Sequence, residues 1–150
     1  IHNFLPKDRA NLGNKHLKLN IMETNYTQMA NDFLTKTNVK ITIEYYRYGK
    51  HFVNDNTDRH IFTVTLSRCG KKHSFKFGQS IAQGRNKPSA YDILACLQKY
   101  DIGSFEDFCS EFGYTHNSIN RTIYNAVCKE FEMVSDIWSD EEIEELQEIY

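Results

Sequence analysis

Near the front of the chain apolar residues recur at helical spacing, and immediately afterwards at every second position. Tyr26, Met29, Ala30, Phe33 and Leu34 fall at i, i+3, i+4, i+7 and i+8, the spacing of one face of an amphipathic helix. Asn25 is placed to cap it, with Gln28 at the reciprocal position of a capping box, and Thr37 and Asn38 end it. The period then drops to two. Val39, Ile41, Ile43 and Tyr45 alternate with Lys40, Thr42 and Glu44, so one strand face is buried and the other is wet. A polar stretch over 49–58 leads to a second strand with Phe62, Val64 and Leu66 inward, and a third carries Phe75 and Phe77. Cys69-Gly70-Lys71-Lys72 joins these two as a tight turn, where glycine at the first central position suits a type II′ hairpin. The outward face carries Lys40, Arg47 and Lys76.

Residues 80–88 have no periodicity and contain Gly84 and Pro88, the marks of a linker. Beyond it the punctuation is helical. Ser89 with Asp92 resembles a capping box opening a helix with Tyr91, Leu94, Ala95 and Leu97 inward, closed over 101–103. Ser104 with Asp107 opens a short helix carrying Phe105, Phe108, Cys109 and Phe112, stopped by Gly113. Asn117 or Ser118 starts a long helix through Ile123, Val127, Phe131 and Val134 to about Trp138. Ser139 with Glu142 opens the last, with Ile143, Leu146 and Ile149 inward. The expected fold is therefore α+β, an N-terminal helix plus a three-stranded antiparallel sheet followed by a four-helix all-α domain. The expected boundaries are 1–21 for a leader or added segment ahead of Met22, 22–79 for the α/β-meander, 80–88 for the linker and 89–150 for the helical domain.

Composition adds that 150 residues, 40% hydrophobic and 13% aromatic, can fold without disulfides or a metal, in two small cores. No apolar run reaches the roughly 18 residues of a membrane span, and no secretory signal pattern is present, so a cytoplasmic location is expected. Cys69, Cys96, Cys109 and Cys128 lack paired spacing and are expected to be buried free thiols rather than zinc ligands.

Charge changes the picture most. Residues 1–88 hold 15 Lys and Arg against 6 Asp and Glu, a charge of +9, while 89–150 hold 3 against 14, a charge of -11, and together they give the formal -2 of the whole chain. Such asymmetry bears on partners, unless the two halves neutralise each other across their junction. On the basic side the candidate contacts for nucleic acid or nucleoprotein are Arg47, Lys50, Lys71, Lys72, Lys76, Arg85 and Lys87, with Tyr46 and Tyr48 interleaved. Positive charge with aromatic platforms is what single-stranded nucleic acid takes. On the acidic side Asp101, Glu106, Asp107, Glu111, Asp140, Glu141, Glu144 and Glu145 are candidate partner-binding residues, since carboxylates on helices can imitate phosphates in a basic channel.

A search for chemistry yields no catalytic residues, no metal ligands and no cofactor. There is no nucleophile elbow and no phosphate-binding glycine loop. Asp55, Asp58 and His60 could hold a divalent ion for a nuclease reaction, but a polar hairpin loop contains the same residues. The protein is expected not to be an enzyme.

The segment Ser89-Ala-Tyr-Asp-Ile-Leu-Ala-Cys-Leu-Gln-Lys-Tyr-Asp-Ile-Gly-Ser-Phe-Glu-Asp-Phe-Cys-Ser-Glu-Phe-Gly-Tyr114 resembles a helical module of small bacteriophage and prophage proteins. Tyr124-Asn-Ala-Val-Cys-Lys-Glu-Phe131 and Asp140-Glu-Glu-Ile-Glu-Glu-Leu-Gln-Glu-Ile149 resemble its continuation. Thr115-His116-Asn117 and Phe131 depart from its pattern, which tends to acidic residues and Trp there. The resemblance supplies no catalytic residues. It implies a phage accessory protein that blocks a host defence machine, foremost an anti-CRISPR that binds a Cas9-type effector or its guide complex and obstructs DNA binding or cleavage. The alternative is a nucleic-acid-binding phage regulator using the basic sheet.

Overall fold

The computed structural model of the chain describes residues 20–52, 55–98 and 103–150. The element order is α1 (Asn20–Thr37), β1 (Lys40–Gly49), β2 (Arg59–Arg68), β3 (Lys71–Gln79), a 3-10 turn at Ile81–Gln83, α2 (Ala90–Leu97), α3 (Phe105–Phe112), α4 (Ser118–Ile137) and α5 (Asp140–Glu148). The fold is the expected α+β, a helix and a three-stranded antiparallel sheet of order β1-β2-β3, followed by helices. Residues 1–19 of the expected leader and the expected stop over 101–102 lie outside the described residues.

Local chemistry sets the helix ends in the back half. The Ser104 and Ser139 hydroxyls accept from the backbone of Asp107 and Glu142, whose carboxylates accept in return from the two cap N–H groups. Asn117 caps α4 through the N–H of Asn120 at 2.9 Å, and Gly113 closes α3 in the left-handed region. At α1 the expectation fails: the helix already runs from Asn20, so Asn25 is an interior residue and not a cap. No Gly or Pro interrupts 20–25, and nothing there stops the helix. Met29, expected inward, is 44% exposed. The buried stripe is Ala30, Phe33, Leu34 and Thr37, and Met29 lies at its rim.

The β2–β3 connection also differs. Its two central residues are Cys69 and Gly70, with φ of 50° and 83°, and positive φ at both positions is the requirement of a type I′ turn, not II′. Cys69 is consequently exposed at the tip, while Cys96 and Cys109 are buried as expected. In β1 the pairing passes from Tyr45 opposite Phe62 to Arg47 opposite Ile61, leaving Tyr46 as an extra, bulged residue.

The apolar interior is not divided at Pro88, so the expected pair of separate cores gives way to another arrangement. The larger cluster joins Ala30, Phe33 and Leu34 of α1, Val64, Leu66 and Phe77 of the sheet, and residues of α2, α4 and α5. Helix α2 lies deep within it: Tyr91 and every residue from Ile93 to Leu97 are buried. A helix apolar nearly all round is a core element. The smaller cluster packs Phe105, Phe108 and Cys109 of α3 on Ile123 and Val127 of α4, with Phe52 from the β1–β2 loop against it. The change at 80–88 is one of secondary-structure type and of charge.

Candidate nucleic-acid interface

Antiparallel pairing brings three cross-strand rows to the uncovered face of the sheet. Register places Lys40, Ser67 and Lys72 in one row, Thr42, Thr65 and Ser74 in the next, and Glu44, Thr63 and Lys76 in the third. The central strand contributes only hydroxyls, and the flanking strands contribute charge. The hydroxyls of Thr65 and Ser74 are 2.9 Å apart, and the Lys76 ammonium donates to Thr63 Oγ1 at 2.6 Å. Beyond the third row the bulge pushes Tyr46 out of the ladder, and the residue is 54% exposed. The Lys76 Nζ lies 3.7 Å from the ring centroid and the Arg47 guanidinium carbon 5.7 Å, close enough for a cation–π contact.

The other basic candidates distribute differently. Lys72 and Lys76 belong to the open face. Arg47 reaches it through Tyr46 and donates to the Lys50 carbonyl at 3.0 Å. Arg85 stacks 4.0 Å over Tyr45, whose ring meets Phe62 edge-on on the covered face. Lys87 and Lys50 are exposed. Lys71 turns to the helices and pairs with Asp136 at 3.0 Å.

Lys71 is one of several charges that the two halves share. Arg68 grips Glu142 with both guanidinium nitrogens, at 2.7 and 3.0 Å, and donates to the Ile137 carbonyl at 2.9 Å. Lys36 pairs with Glu145 at 2.9 Å, and His73 meets Asp136 at 2.7 Å. Arg68 holds the Glu142 carboxyl below its usual range, and His73 and Lys71 do the same for Asp136. Mutual attraction of the halves thus absorbs part of the asymmetry. Of the acidic candidates, Glu145 is spent in this way, Asp107 is tied up in the α3 cap, and Asp101 lies outside the described residues. Glu106, Glu111, Asp140, Glu141 and Glu144 remain exposed without an ion pair among the described residues.

The loop between β1 and β2, with its candidate metal ligands, has a structural role. Asp55 accepts from the backbone N–H groups of His51 and Phe52 at 3.1 and 3.0 Å, and a ring nitrogen of His60 meets the Tyr45 hydroxyl at 3.0 Å. Among the described residues no group of three or more His, Cys, Asp or Glu could hold a metal ion. No described helix is long and apolar enough to cross a membrane.

Sequence reasoning missed a pocket of about 270 Å³ beside this loop, where His51, Phe52 and Ile61 meet Tyr46, Lys76 and Glu130 of α4. Burial raises the pKa of Glu130. His51 packs so tightly on Gly78 that a Cβ there would approach its ring to 3.0 Å, and burial, with Arg59 and Arg47 nearby, lowers its pKa to about 3. The folded state therefore binds fewer protons at His51 than the unfolded state between that value and the ordinary pKa of about 6.5. Stability contributed by the neutral ring is lost as pH falls through that window. His51→Gln is expected to reduce the loss between about pH 7 and 5 by about 1–2 kcal/mol, read by urea unfolding at both values. An equal loss in the variant would contradict it.

No protein-family model, no curated protein and no solved structure matches the chain.

Proposed function

We propose that the protein is a non-catalytic binding protein whose open sheet face engages nucleic acid, free or within a nucleoprotein. The observation that carries this reading is the Tyr46 bulge, an exposed aromatic ring ringed by Lys76 and Arg47 at the end of a hydroxyl-lined sheet. A base stacks on such a ring without regard to sequence, and the cations and hydroxyls serve the backbone. The test is binding of 5′-hydroxyl single-stranded oligonucleotides across a salt series. Tyr46→Ala is expected to cost about 1–3 kcal/mol, roughly 5- to 150-fold in affinity, and Lys76→Gln to lower the salt slope by about one phosphate contact. Absence of salt-dependent binding in the unsubstituted protein would reject the reading.

A second reading is the anti-defence inhibitor, foremost an anti-CRISPR against a Cas9-type effector. Two features support it: the resemblance of residues 89–149 to phage proteins, and the carboxylates of α3 and α5 left unpaired among the described residues. It differs in outcome: target cleavage by the effector would stop while free nucleic acid stayed unbound, and Glu106→Lys with Glu111→Lys would restore cleavage.

A further inference from the structure

The row of Lys40, Ser67 and Lys72 closes the sheet at the end opposite the Tyr46 bulge. Strand spacing sets the two lysine Cα atoms about 10 Å apart. Their flexible stems can converge on one group above the Ser67 hydroxyl. A cleft of about 290 Å³ opens at this end of the sheet, lined by the three residues together with Asn38, Arg68 and Lys71 and by no acidic side chain.

The surrounding charges do not cancel. Arg68 and Lys71 are balanced by Glu142 and Asp136, which also fix where they lie. Lys40 and Lys72 are exposed and have no ion pair among the described residues. Four cations less two carboxylates leaves two positive charges lining one cleft, which a bound dianion would neutralise. A phosphate monoester carries nearly two negative charges above pH ~6, and a backbone diester carries one.

We propose that the Lys40–Ser67–Lys72 row and its cleft form a binding site for a phosphate monoester. The group is supplied either by the end of a nucleic-acid strand or by a small phosphorylated molecule. The site does not require that the Tyr46 end of the face bind nucleic acid.

The experiment follows backbone amide resonances of the full chain while sodium phosphate is added at constant ionic strength, at about pH 7.5, where phosphate is mostly dianionic. Saturable shifts at Ser67 and Gly70 are expected. Lys40→Gln with Lys72→Gln weakens the affinity by about tenfold or more, Lys129→Gln on α4 leaves it unchanged, and dimethyl phosphate, a diester, binds about tenfold more weakly. Shifts that do not saturate, an undiminished affinity in the double variant, or equal binding of the diester would overturn the site.

Oligonucleotides then identify the source. Tighter binding of a 5′-phosphorylated strand than of its 5′-hydroxyl counterpart, lost in the double variant, supports the site and assigns it to strand ends. Equal binding of the two strands while phosphate itself saturates supports it as a small-molecule site. Because inorganic phosphate is the primary probe, failure of nucleic-acid binding at Tyr46 leaves this result standing.

Discussion

Trp138→Ala is expected to destabilise the protein by about 3–5 kcal/mol, the range for removing a large buried aromatic side chain. Trp138 terminates α4, is 2% exposed, and packs its ring 5.6 Å from that of Phe33 in α1. Its indole N–H donates to Thr37 Oγ1 at 3.1 Å, across 101 positions of sequence. The cavity would therefore open where the first helix meets the last two. At this chain length the loss corresponds to a fall in Tm of roughly 6–20 °C. Trp138→Phe keeps most of the volume and loses the N–H, and should cost about 1–2 kcal/mol, because the Thr37 hydroxyl still donates to the Phe33 carbonyl at 3.0 Å. Trp138 is the single tryptophan in the chain, so far-ultraviolet circular dichroism in urea is the suitable readout. Losses of similar size in both variants would show that the hydrogen bond, rather than the packing, dominates.

The clamp of Arg68 on Glu142 gives the second large effect. The two side chains are 26% and 22% exposed, between a surface pair worth little and a buried pair whose disruption is severe. Arg68→Met keeps the aliphatic stem, strips the carboxylate of its bidentate partner and frees the Ile137 carbonyl, for an expected loss of about 2–3 kcal/mol at neutral pH. The pH dependence has a definite sign. A carboxyl whose folded pKa is depressed contributes stability above its ordinary pKa, and loses it as pH falls through the folded value. The gap between the parent and Arg68→Met should therefore be wide at pH 7 and narrow near pH 3, in urea unfolding at each. A gap of equal width at both would place the contribution in packing of the stem.

Much of what rests on neighbouring residues was legible in the sequence, the Asn25 cap and the type of the β2–β3 turn excepted. The caps at Ser104, Asn117 and Ser139 and the stop at Gly113 depend on a few adjacent side chains and stand where their spacing put them. The alternation in β1 and β2 identified the covered face for the same reason. The bulge was not legible, because in Tyr45-Tyr46-Arg47-Tyr48 nothing local says which residue leaves the ladder. Nor was the separation of Lys71 from Lys72, both expected in the turn but both on β3, where successive side chains point to opposite faces, one to Asp136 and one to solvent. Glu145 and Glu144 part in the same way on α5, since only tertiary packing brings Lys36 to the first. Of the candidate site, Lys72, Lys76, Arg47 and Tyr46 came from sequence, whereas the part of Ser67 in the row required the register.

The register on either side of Tyr46 has a consequence for changes in chain length. Tyr45 pairs with Phe62 and Arg47 with Ile61, neighbours on β2, so the ladder is already continuous if Tyr46 is passed over. Deleting that one codon would join two residues whose partners are already adjacent, and every other pair in the sheet could keep its place. Tyr46 thus behaves as an insertion that the strand tolerates but does not need. A one-residue deletion there would remove the exposed ring from the end of the sheet while leaving the rest of the ladder intact.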